Sequence, residues 1–240
     1  VLYDLLNYIN QKIKKNNFAR LTLHSKLVLS FTFSLFLFGT LIILVAEHTK
    51  FSENIFQNIL NAFFQSISAS TTVGFNTIDI TIMSNASLFV MIILMFIGAS
   101  PGSTGGGIKT TSFAASILSS IASLKGKNAV SIFKRTISRF SVDKSNAQIF
   151  VALTSTLVIT LILTITENFS FIKILFEATS AFGTVGLSAG ITSSLSIIGK
   201  LLITTLMIIG RVGPIAIGLF FVNKKRNNNY TFPEEDIFTS

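Results

Sequence analysis

The sequence predicts an all-α integral membrane protein built from two equivalent repeats, and three observations lead to this fold class. Hydrophobic residues make up 50% of the 240 residues and charged residues only 12%, whereas soluble domains carry about 25% charged residues. Two uncharged and predominantly apolar runs, 27–46 and 146–166, reach 20 residues or more, the length that crosses a bilayer core. A short motif, Thr-Val-Gly, occurs twice among the apolar runs. The chain has no Cys, which excludes disulfides and thiolate metal sites.

The chain opens with a basic amphipathic segment, residues 1–26. Apolar residues recur there at helical spacing, at Leu2, Leu5, Leu6, Ile9 and Ile13. The basic residues of the segment are Lys12, Lys14, Lys15, Arg20 and Lys26. This pattern predicts a helix and a linker on the cytoplasmic membrane surface. The uncharged run 27–46 follows as a first span, because such a run covers about 30 Å at 1.5 Å per residue.

A shorter amphipathic segment follows this span. Residues 54–70 carry Asn58, Asn61 and Gln65 among apolar residues, and Ser52 is the predicted cap of the helix. The segment is too polar for a full span, so it predicts a re-entrant helix whose C-terminal end directs partial negative charge at the residues that follow. Non-helical backbone at membrane depth is tolerated only where protein buries it or water reaches it. The turn after this helix is therefore expected inside a pore.

That turn contains the repeated motif. Thr-Val-Gly returns 112 positions later, and each copy is followed by an apolar residue. The two predicted turns are therefore Thr72, Val73, Gly74, Phe75 and Thr184, Val185, Gly186, Leu187. The residues leading into the two copies match in the same register, Phe64 with Phe176, Ser68 with Ser180 and Ala69 with Ala181. A glycine that follows the β-branched Thr and Val suits an extended turn whose carbonyls point to one side. In a selectivity filter such carbonyls replace the water shell of K⁺, so these eight residues are the predicted ion-binding site, with potassium as the bound ion.

The second span of the first repeat is predicted to be broken. An apolar run at 86–98 is too short to cross the bilayer, and a milder apolar stretch occupies 110–124. Between them lies the segment ASPGSTGGGIK, residues 99–109. We expect a helix interrupted by a flexible glycine loop at membrane depth, where discontinuous transporter helices keep their functional parts.

The second repeat and the basic clusters complete the topology. Residues 146–166 form the next uncharged span, 171–182 the second re-entrant helix and 196–222 the last span. Basic residues cluster in 1–26, in 125–145 and after 222, so the positive-inside rule places all three clusters in the cytoplasm. Because the net charge of +9 is divided among these clusters, it favours a multi-pass protein of the cytoplasmic membrane over a nucleic-acid binder.

The predicted division of the chain follows these boundaries. It consists of a cytoplasmic amphipathic segment and linker at 1–26, a first repeat with a broken second span at 27–124, a basic cytoplasmic connection at 125–145, a second repeat at 146–222 and a cytoplasmic tail at 223–240. Glu47 and Glu167 end the first span of each repeat and are predicted to be interfacial, with attraction of cations to the pore mouth as the alternative. His24 and His48 lie near span ends and are not predicted to have a proton or metal role.

Arg211 lies at mid-membrane depth in the last span. It is 11 residues after Lys200 and 13 before Lys224, about 16 Å from one end and about 20 Å from the other. An arginine there costs about 2.5–3.5 kcal/mol on insertion scales and normally faces a cavity or a polar partner. We expect Gly210 and Gly213 to let the glycine loop approach, so that Arg211 holds loop carbonyls and the hydroxyls of Ser103 and Thr104. The alternative is an arginine that snorkels or pairs within the helix bundle.

These residues together form a predicted gate below the filter. Its members are Gly102, Ser103, Thr104, Gly105, Gly106, Gly107, Lys109 and Arg211. The loop would plug the pore, and the positive charge of Arg211 would oppose passing cations until the loop moves aside.

Five segments of the chain resemble the potassium-translocating subunits of the Trk/Ktr/HKT cation transporters, most closely the bacterial Ktr membrane subunit. They are TTVGFN at 71–76, SPGSTGGGIKT at 100–110, TVGL at 184–187, GRVGP at 210–214 and FPEE at 232–235. The likeness covers essentially the whole chain, and the loop is its most specific part. It implies two span–pore helix–filter–span repeats of a potassium-channel-like superfamily fold. It also implies K⁺ uptake, with Na⁺ as a candidate coupled or stimulating ion, and the loop and the arginine as the gate.

The resemblance further implies partners. Members of the family have four such repeats in one polypeptide around one pore, and the two repeats here look like the third and fourth. The missing N-terminal half of the same polypeptide is therefore an expected partner, alongside the lipid bilayer. The resemblance also implies a homodimer of transporters and a cytosolic nucleotide-binding regulatory subunit of the RCK type.

Three other functions are compatible with parts of the sequence. Gly102 and Gly107 followed by Lys109 are similar to a phosphate-binding loop, but that motif needs Gly and Lys adjacent after a strand, and here Ile108 separates them after an apolar helix. An enzyme is therefore not predicted. A complete two-repeat cation channel that dimerises would also assemble four filter turns. A structural membrane bundle would not require the paired motif.

Overall fold

The computed structural model describes residues 1–14, 20–48, 54–127 and 129–213, most of which are helical. The α-helices within these ranges are α1 Leu2–Ile13, α2 Leu23–Ala46, α3 Ile55–Thr71, α4 Asn85–Phe96, α5 Thr110–Leu124, α6 Arg139–Thr166, α7 Phe171–Gly183 and α8 Ile197–Val212. Short 3₁₀ turns lie at Ile80–Ile82 and Thr192–Ser194. The predicted cap Ser52, Lys15, the end of the last span at 214–222 and the tail 223–240 lie outside the described residues.

The first repeat consists of α2, α3, α4 and α5. α2 begins after its N-cap Thr22, whose hydroxyl accepts the backbone N–H of Ser25 at 3.2 Å. Asp4 accepts the backbone N–H of Thr22 at 3.0 Å and its hydroxyl at 2.8 Å, so α1 is tied to the start of α2. α3 begins after Asn54, whose side chain accepts the backbone N–H of Phe56. The predicted break in the second span is present, because α4 and α5 are separate helices on either side of the glycine loop.

The second repeat consists of α6, α7 and α8. α6 begins at Arg139, seven residues before the predicted start, because Ser138 caps it by accepting the backbone N–H of Ser141 at 3.3 Å. Its 28 residues measure about 42 Å, so its polar first turns extend beyond a bilayer core of about 30 Å. α8 is described as far as Val212, followed by Gly213 in a positive-φ conformation.

Two helices, α2 and α6, are long and apolar enough to cross a membrane by length and composition, and α4 and α5 are shorter apolar helices. α3 and α7 contain 17 and 13 residues, so they measure about 26 Å and about 20 Å. Both fall short of the bilayer core, in keeping with the predicted re-entrant helices.

A small hairpin, which the sequence analysis does not predict, lies in the connection between the repeats. β1 Ser131–Ile132 pairs with antiparallel β2 Arg135–Thr136. The two residues between the strands, Phe133 and Lys134, have φ values of 50° and 61°, as a type I′ turn requires. Neither residue is Gly, Asn or Asp, so no sequence signal marks the turn.

The two repeats share a hydrophobic core. α4 packs against α7, and α7 packs against α8. The buried Ile43 and Met91 of the first repeat lie in one cluster with Phe176, Val185 and Leu187 of the second. This packing brings the ends of α3 and α7, and therefore the two copies of the motif, to the same part of the molecule.

Candidate ion path

Both copies of the motif begin with the same helix ending. Thr72 follows α3 with φ of 60°, and Thr184 follows α7 with φ of 52°, both left-handed. The backbone N–H of Val73 donates to the Ser68 carbonyl at 3.1 Å, and that of Val185 to the Ser180 carbonyl at 2.9 Å. These are the long-range bonds of a Schellman cap. The register of 112 residues therefore holds for the backbone as well as for the sequence.

The two turns, residues 72–75 and 184–187, meet at the glycine of the first turn. Gly74 and Gly186 have φ values of 82° and 90°, a region that residues with a Cβ seldom enter. A Cβ built on Gly74 would clash with the carbonyl oxygen of Val185. A Cβ on Gly186 would meet nothing within 4 Å, so this glycine borders open space.

Different side chains support the two turns from behind. In the first, the Ser68 hydroxyl donates to the carbonyl of Phe75 at 2.5 Å, so this carbonyl faces α3. In the second, the carboxylate of Glu177 accepts the backbone N–H of Ala189 at 2.9 Å. Glu177 is not among the predicted site residues, although it stands 112 positions after Gln65 on the equivalent helix.

The two turns also differ in how far their side chains are covered. Val73 is 56% exposed and Phe75 is 70% exposed, whereas Val185 and Leu187 are 4% and 3% exposed. The second turn is buried because its side chains pack against the first repeat. The first turn has no equivalent neighbour among the described residues.

The glycine loop closes on itself between α4 and α5. Ile97 and Ile108 pair in an isolated parallel bridge. The backbone N–H of Ile108 donates to the carbonyl of Phe96 at 3.2 Å. The chain therefore leaves α4, folds back over residues 98–107 and re-enters the bundle beside its starting point.

The middle of this loop lies against the threonines of both turns. The backbone N–H of Gly106 donates to Thr184 Oγ1 at 2.8 Å. A Cβ on Gly105 would clash with Thr72 Oγ1. Residues without side chains are needed here, because any Cβ would push the loop away from the turns.

Two cationic side chains hold the loop. Arg211 Nη1 donates to the carbonyl of Thr104, and Lys109 Nζ donates to the carbonyl of Gly105 at 2.6 Å. The expected contact between Arg211 and the loop is therefore present, but it is made to a carbonyl and not to the hydroxyls of Ser103 or Thr104.

The expected role of the glycines beside Arg211 is wrong. Gly210 packs against the backbone of Phe182, so it brings α8 close to α7 and not to the loop. A Cβ on Gly213 would meet nothing within 4 Å. Arg211 reaches the loop by the length of its side chain.

Glu47 and Glu167, which the sequence predicts to lie at the interface of membrane and water, have side chains that are buried within the protein. Glu47 is 2% exposed, and its Oε1 accepts the Ser84 backbone N–H at 2.7 Å and the Ser87 hydroxyl at 2.6 Å. Glu167 is 9% exposed and accepts the backbone N–H and the hydroxyl of Ser196. Ser84 and Ser196 are the N-caps of α4 and α8, so each carboxylate joins the end of one helix to the start of another.

Asp79, an exposed carboxylate four residues after Phe75 in the chain, is the N-cap of the short turn Ile80–Ile82. The hydroxyl and backbone N–H of Thr81 donate to it at 2.7 and 2.9 Å. These hydrogen bonds hold the pKa of Asp79 below its usual range, so it stays ionised at neutral pH.

A cavity of about 610 Å³ runs along the open side of the second turn. Its lining includes Glu177, Gly186, Ser188 and, on α8, Met207 and Arg211. One space thus extends from the residue after the second turn to the arginine that holds the loop.

Comparisons with known proteins agree with this geometry. The model of the TrkH family, described as a cation transport protein, matches residues 16–231. The chain is 39% identical over 239 residues to the Ktr system potassium uptake protein D of Bacillus subtilis, which covers 99% of this chain and 52% of that protein. It is 38% identical over 243 residues to the potassium/sodium uptake protein NtpJ of Enterococcus hirae, with 98% and 52% covered. The chain spans about half the length of the curated relatives it matches.

Among solved structures, the crystal structure of the potassium transporter TrkH from Vibrio parahaemolyticus matches with a TM-score of 0.68 at 19% identity. The match covers 82% of this chain and 43% of that one. This likeness confirms the predicted fold class. The matched family is described as a cation transport protein, and the chain is therefore not assigned to an enzyme class. Cation transport takes place in a membrane, so the family match also places the chain there. The matched family model and the fold lead to one conclusion: the chain belongs to the TrkH family of cation transport proteins.

Proposed function

We propose that this chain contributes half of a pore for potassium uptake across the cytoplasmic membrane. The observation that carries the proposal is the stacking of three elements. The two turns meet at Gly74 and Val185, the glycine loop lies against Thr72 and Thr184, and Arg211 holds the loop. A cation that follows the turns must therefore meet the loop next.

The filter is formed by Thr72, Val73, Gly74, Phe75, Thr184, Val185, Gly186 and Leu187, which coordinate K⁺ through backbone carbonyls. The carbonyl of Val185 already points at the opposite turn, and the exposed Gly186 borders the cavity. The carbonyl of Phe75 accepts the Ser68 hydroxyl, which leaves one of its two lone pairs for an ion.

The gate is formed by residues 102–107, Lys109 and Arg211. Two positive charges on the loop side of the turns repel an approaching cation, and in a water-poor site this repulsion is stronger than in bulk solvent. Opening requires that the loop leave Thr72 and Thr184, which breaks the bond from Gly106 to Thr184 and the bond from Arg211 to Thr104. A cytosolic regulator of the RCK type would act by shifting this equilibrium.

The rest of the ring is proposed to come from an N-terminal half of the same polypeptide, and two such pores to pair as a homodimer. The exposure of Val73 and Phe75 supports this arrangement, because a neighbouring repeat would cover them as the first repeat covers Val185 and Leu187. The basic connection would face the cytoplasm by the positive-inside rule. Na⁺ is proposed as a second ion, since one relative is named a potassium/sodium uptake protein.

Removing the gate tests this function. In the complete polypeptide, Arg211→Ala or deletion of residues 105–107 should raise the maximal K⁺ flux, because the loop loses its anchor or its plug. We expect an increase of about tenfold, the effect of losing one charged hydrogen bond of about 1.4 kcal/mol. Selectivity for K⁺ over Na⁺ should stay close to the parental value, because the filter carbonyls are unchanged. Flux is measured as K⁺ uptake into depleted cells or proteoliposomes.

Lys200→Ala is the matched control, because Lys200 is an exposed cation at the opposite end of α8. It should leave the maximal flux unchanged. If both gate variants fold normally and transport no faster than the parent, the loop is a structural break in the helix and not a gate.

A further inference from the structure

Glu177 is a buried carboxylate in the middle of α7, the helix that leads into the second turn. Its side chain is 5% exposed. Its Oε1 accepts the Ser188 hydroxyl at 2.5 Å and the Ala189 backbone N–H at 2.9 Å, and its Oε2 accepts the Thr192 hydroxyl at 2.7 Å. All three donors follow Leu187, the last residue of the turn. The carboxylate therefore joins α7 to the chain that leaves the filter.

These bonds fix the backbone as well as the side chains. The Ala189 N–H and the Ser188 carbonyl belong to one planar peptide unit, so the bond to Glu177 sets the direction of that carbonyl. Hydrogen bonds to an ionised acceptor are roughly twice as strong as neutral ones. The Gly190 backbone N–H in turn donates to Ser188 Oγ at 3.0 Å, which extends the restraint one residue further.

The first repeat lacks this device. Gln65 stands in the equivalent position 112 residues earlier and is fully buried, yet neither of its side-chain polar atoms has a hydrogen-bond partner among the described residues. The residue equivalent to the buried Ala189 is Thr77, which is exposed. The two turns thus end differently, and only the second ends against a fixed negative charge.

We propose that Glu177 is a positioning residue for ion selectivity, which holds the outer end of the second filter turn and adds negative charge beside it. This inference rests on the proposed function, in which residues 184–187 coordinate the transported cation. Glu177 borders the same cavity as Gly186 and Leu187, so its charge acts on an ion at that end of the turn. A filter discriminates K⁺ from Na⁺ through the number and field strength of its carbonyls, and a loosened end adapts more easily to the smaller ion.

Glu177→Gln in the complete polypeptide tests the positioning. The amide keeps the shape of the side chain but removes the charge and replaces one acceptor oxygen by a donor. Hydrogen exchange of the peptide containing residues 187–192 should become about tenfold faster at Ala189, because the acceptor of its N–H loses the charge that strengthens this hydrogen bond. Exchange at residues 72–76 should not change. In uptake assays, the KM for K⁺ should rise and the preference for K⁺ over Na⁺ should fall by about tenfold, with the maximal rate within about twofold of the parent.

Two further variants separate positioning from general stability. Glu167→Gln is the matched control, because it also removes a buried carboxylate of the second repeat that accepts hydrogen bonds from a serine. It should leave both the exchange at 187–192 and the ion preference unchanged. Ser188→Ala removes one of the three donors to Glu177 and keeps the Ala189 N–H, so it should produce a smaller change than Glu177→Gln. Combining the two should add less than the sum of the single changes, because both act on the same group of hydrogen bonds.

Two results would overturn the proposal. One is parental ion preference in Glu177→Gln despite faster exchange, which would make the residue structural only. The other is unchanged exchange at 187–192. If the parent itself takes up no cation, the proposed function fails on its own. The role of Glu177 is then decided by whether K⁺ protects residues 187–192 more than Na⁺ does in the parent but not in the variant.

Discussion

At the residue scale, Thr72 and Thr184 have a left-handed backbone conformation that the sequence does not predict. A β-branched residue with positive φ is rare, and such strain costs of order 1–3 kcal/mol. The repeated motif predicts where the two turns lie, but a threonine gives no signal of a left-handed φ. The structure supplies the reason at Thr184, whose hydroxyl accepts the backbone N–H of Gly106. Backbone strain at the helix end thus presents a hydroxyl to the loop.

Replacing the glycine of either turn by serine should relax selectivity for K⁺ over Na⁺. Both glycines have positive φ, where a residue with a Cβ is strained by about 1–2 kcal/mol. Gly74→Ser should be the more severe change, because its Cβ would also displace the Val185 carbonyl, whereas a Cβ on Gly186 meets open space. Competition of Na⁺ with K⁺ uptake measures the preference of each variant.

Gly126→Ser is the matched control for this pair. Gly126 also has positive φ and nothing near its Cβ, but it lies at the end of α5, away from the turns. It should cost stability without changing ion preference. If both filter variants keep the parental affinity and preference, the assignment of the filter is wrong.

At the element scale, the helices that begin after each turn are joined to the first span of their own repeat. Glu47 connects the end of α2 to the start of α4, and Glu167 connects the end of α6 to the start of α8. Ser84 and Ser196, which receive these bonds, are 112 positions apart. A carboxylate at a helix N-terminus is also stabilised by the helix dipole. In each repeat, the end of the helix before the pore helix is therefore fixed to the start of the helix after the turn.

Glu47→Gln and Glu167→Gln should each lower the free energy of unfolding by about 1.5–3 kcal/mol, the contribution of hydrogen bonds to a buried charged group. Ion preference should stay parental, because the hydrogen bonds described for the two carboxylates go to the starts of α4 and α8, at Ser84, Ser87 and Ser196. Denaturant or thermal unfolding in detergent measures the change. Asp143→Asn, which removes an exposed carboxylate on α6, is the control and should have almost no effect.

A different outcome would favour the alternative role of Glu47 and Glu167, the attraction of cations to the pore mouth. If the two variants unfold as the parent does but lose K⁺ uptake at low concentration, the carboxylates attract cations at the mouth instead of joining helices.

The helical elements were largely predictable, and the tertiary contacts of single side chains were not. Hydrophobic runs and their interruptions predict α4, α5 and the break between them, because apolar length and glycine content are local properties. The positions of Glu47 and Glu177 depend on partners 37 and 12 residues away in the chain, which no local pattern encodes. The depth of Arg211 and its two neighbouring glycines predict a contact with the loop, whereas the packing of Gly210 on Phe182 depends on how α7 and α8 cross.

At the scale of the whole molecule, the two repeats are covered unequally. In the second repeat, Val185 and Leu187 of the turn and most of α7 are buried, with Phe176 and Phe182 fully inaccessible. The first repeat exposes Phe75 together with a row of apolar residues on α3, namely Ile55, Phe56, Ile59, Leu60, Phe63 and Phe64. An apolar surface of this kind, next to a turn that carries polar backbone, marks a face made for protein or lipid contact.

We expect this 240-residue chain to transport no potassium when it is expressed by itself. Two turns form only half of a ring around an ion. Without the other half, the ion-coordinating carbonyls of these turns would face lipid, at a cost of several kcal/mol for each unsatisfied group. Expression in a strain deficient in potassium uptake, on medium of low potassium, measures the prediction as growth. Co-expression with an N-terminal half should restore growth, and the same pair with Gly186→Ser should restore it with weaker discrimination against Na⁺.

Growth with the chain alone would instead favour a two-repeat channel that dimerises to supply four turns. Cross-linking between copies through a cysteine placed at Val73 would then identify that dimer, because Val73 is exposed on the open side of the first turn and the parental chain contains no cysteine.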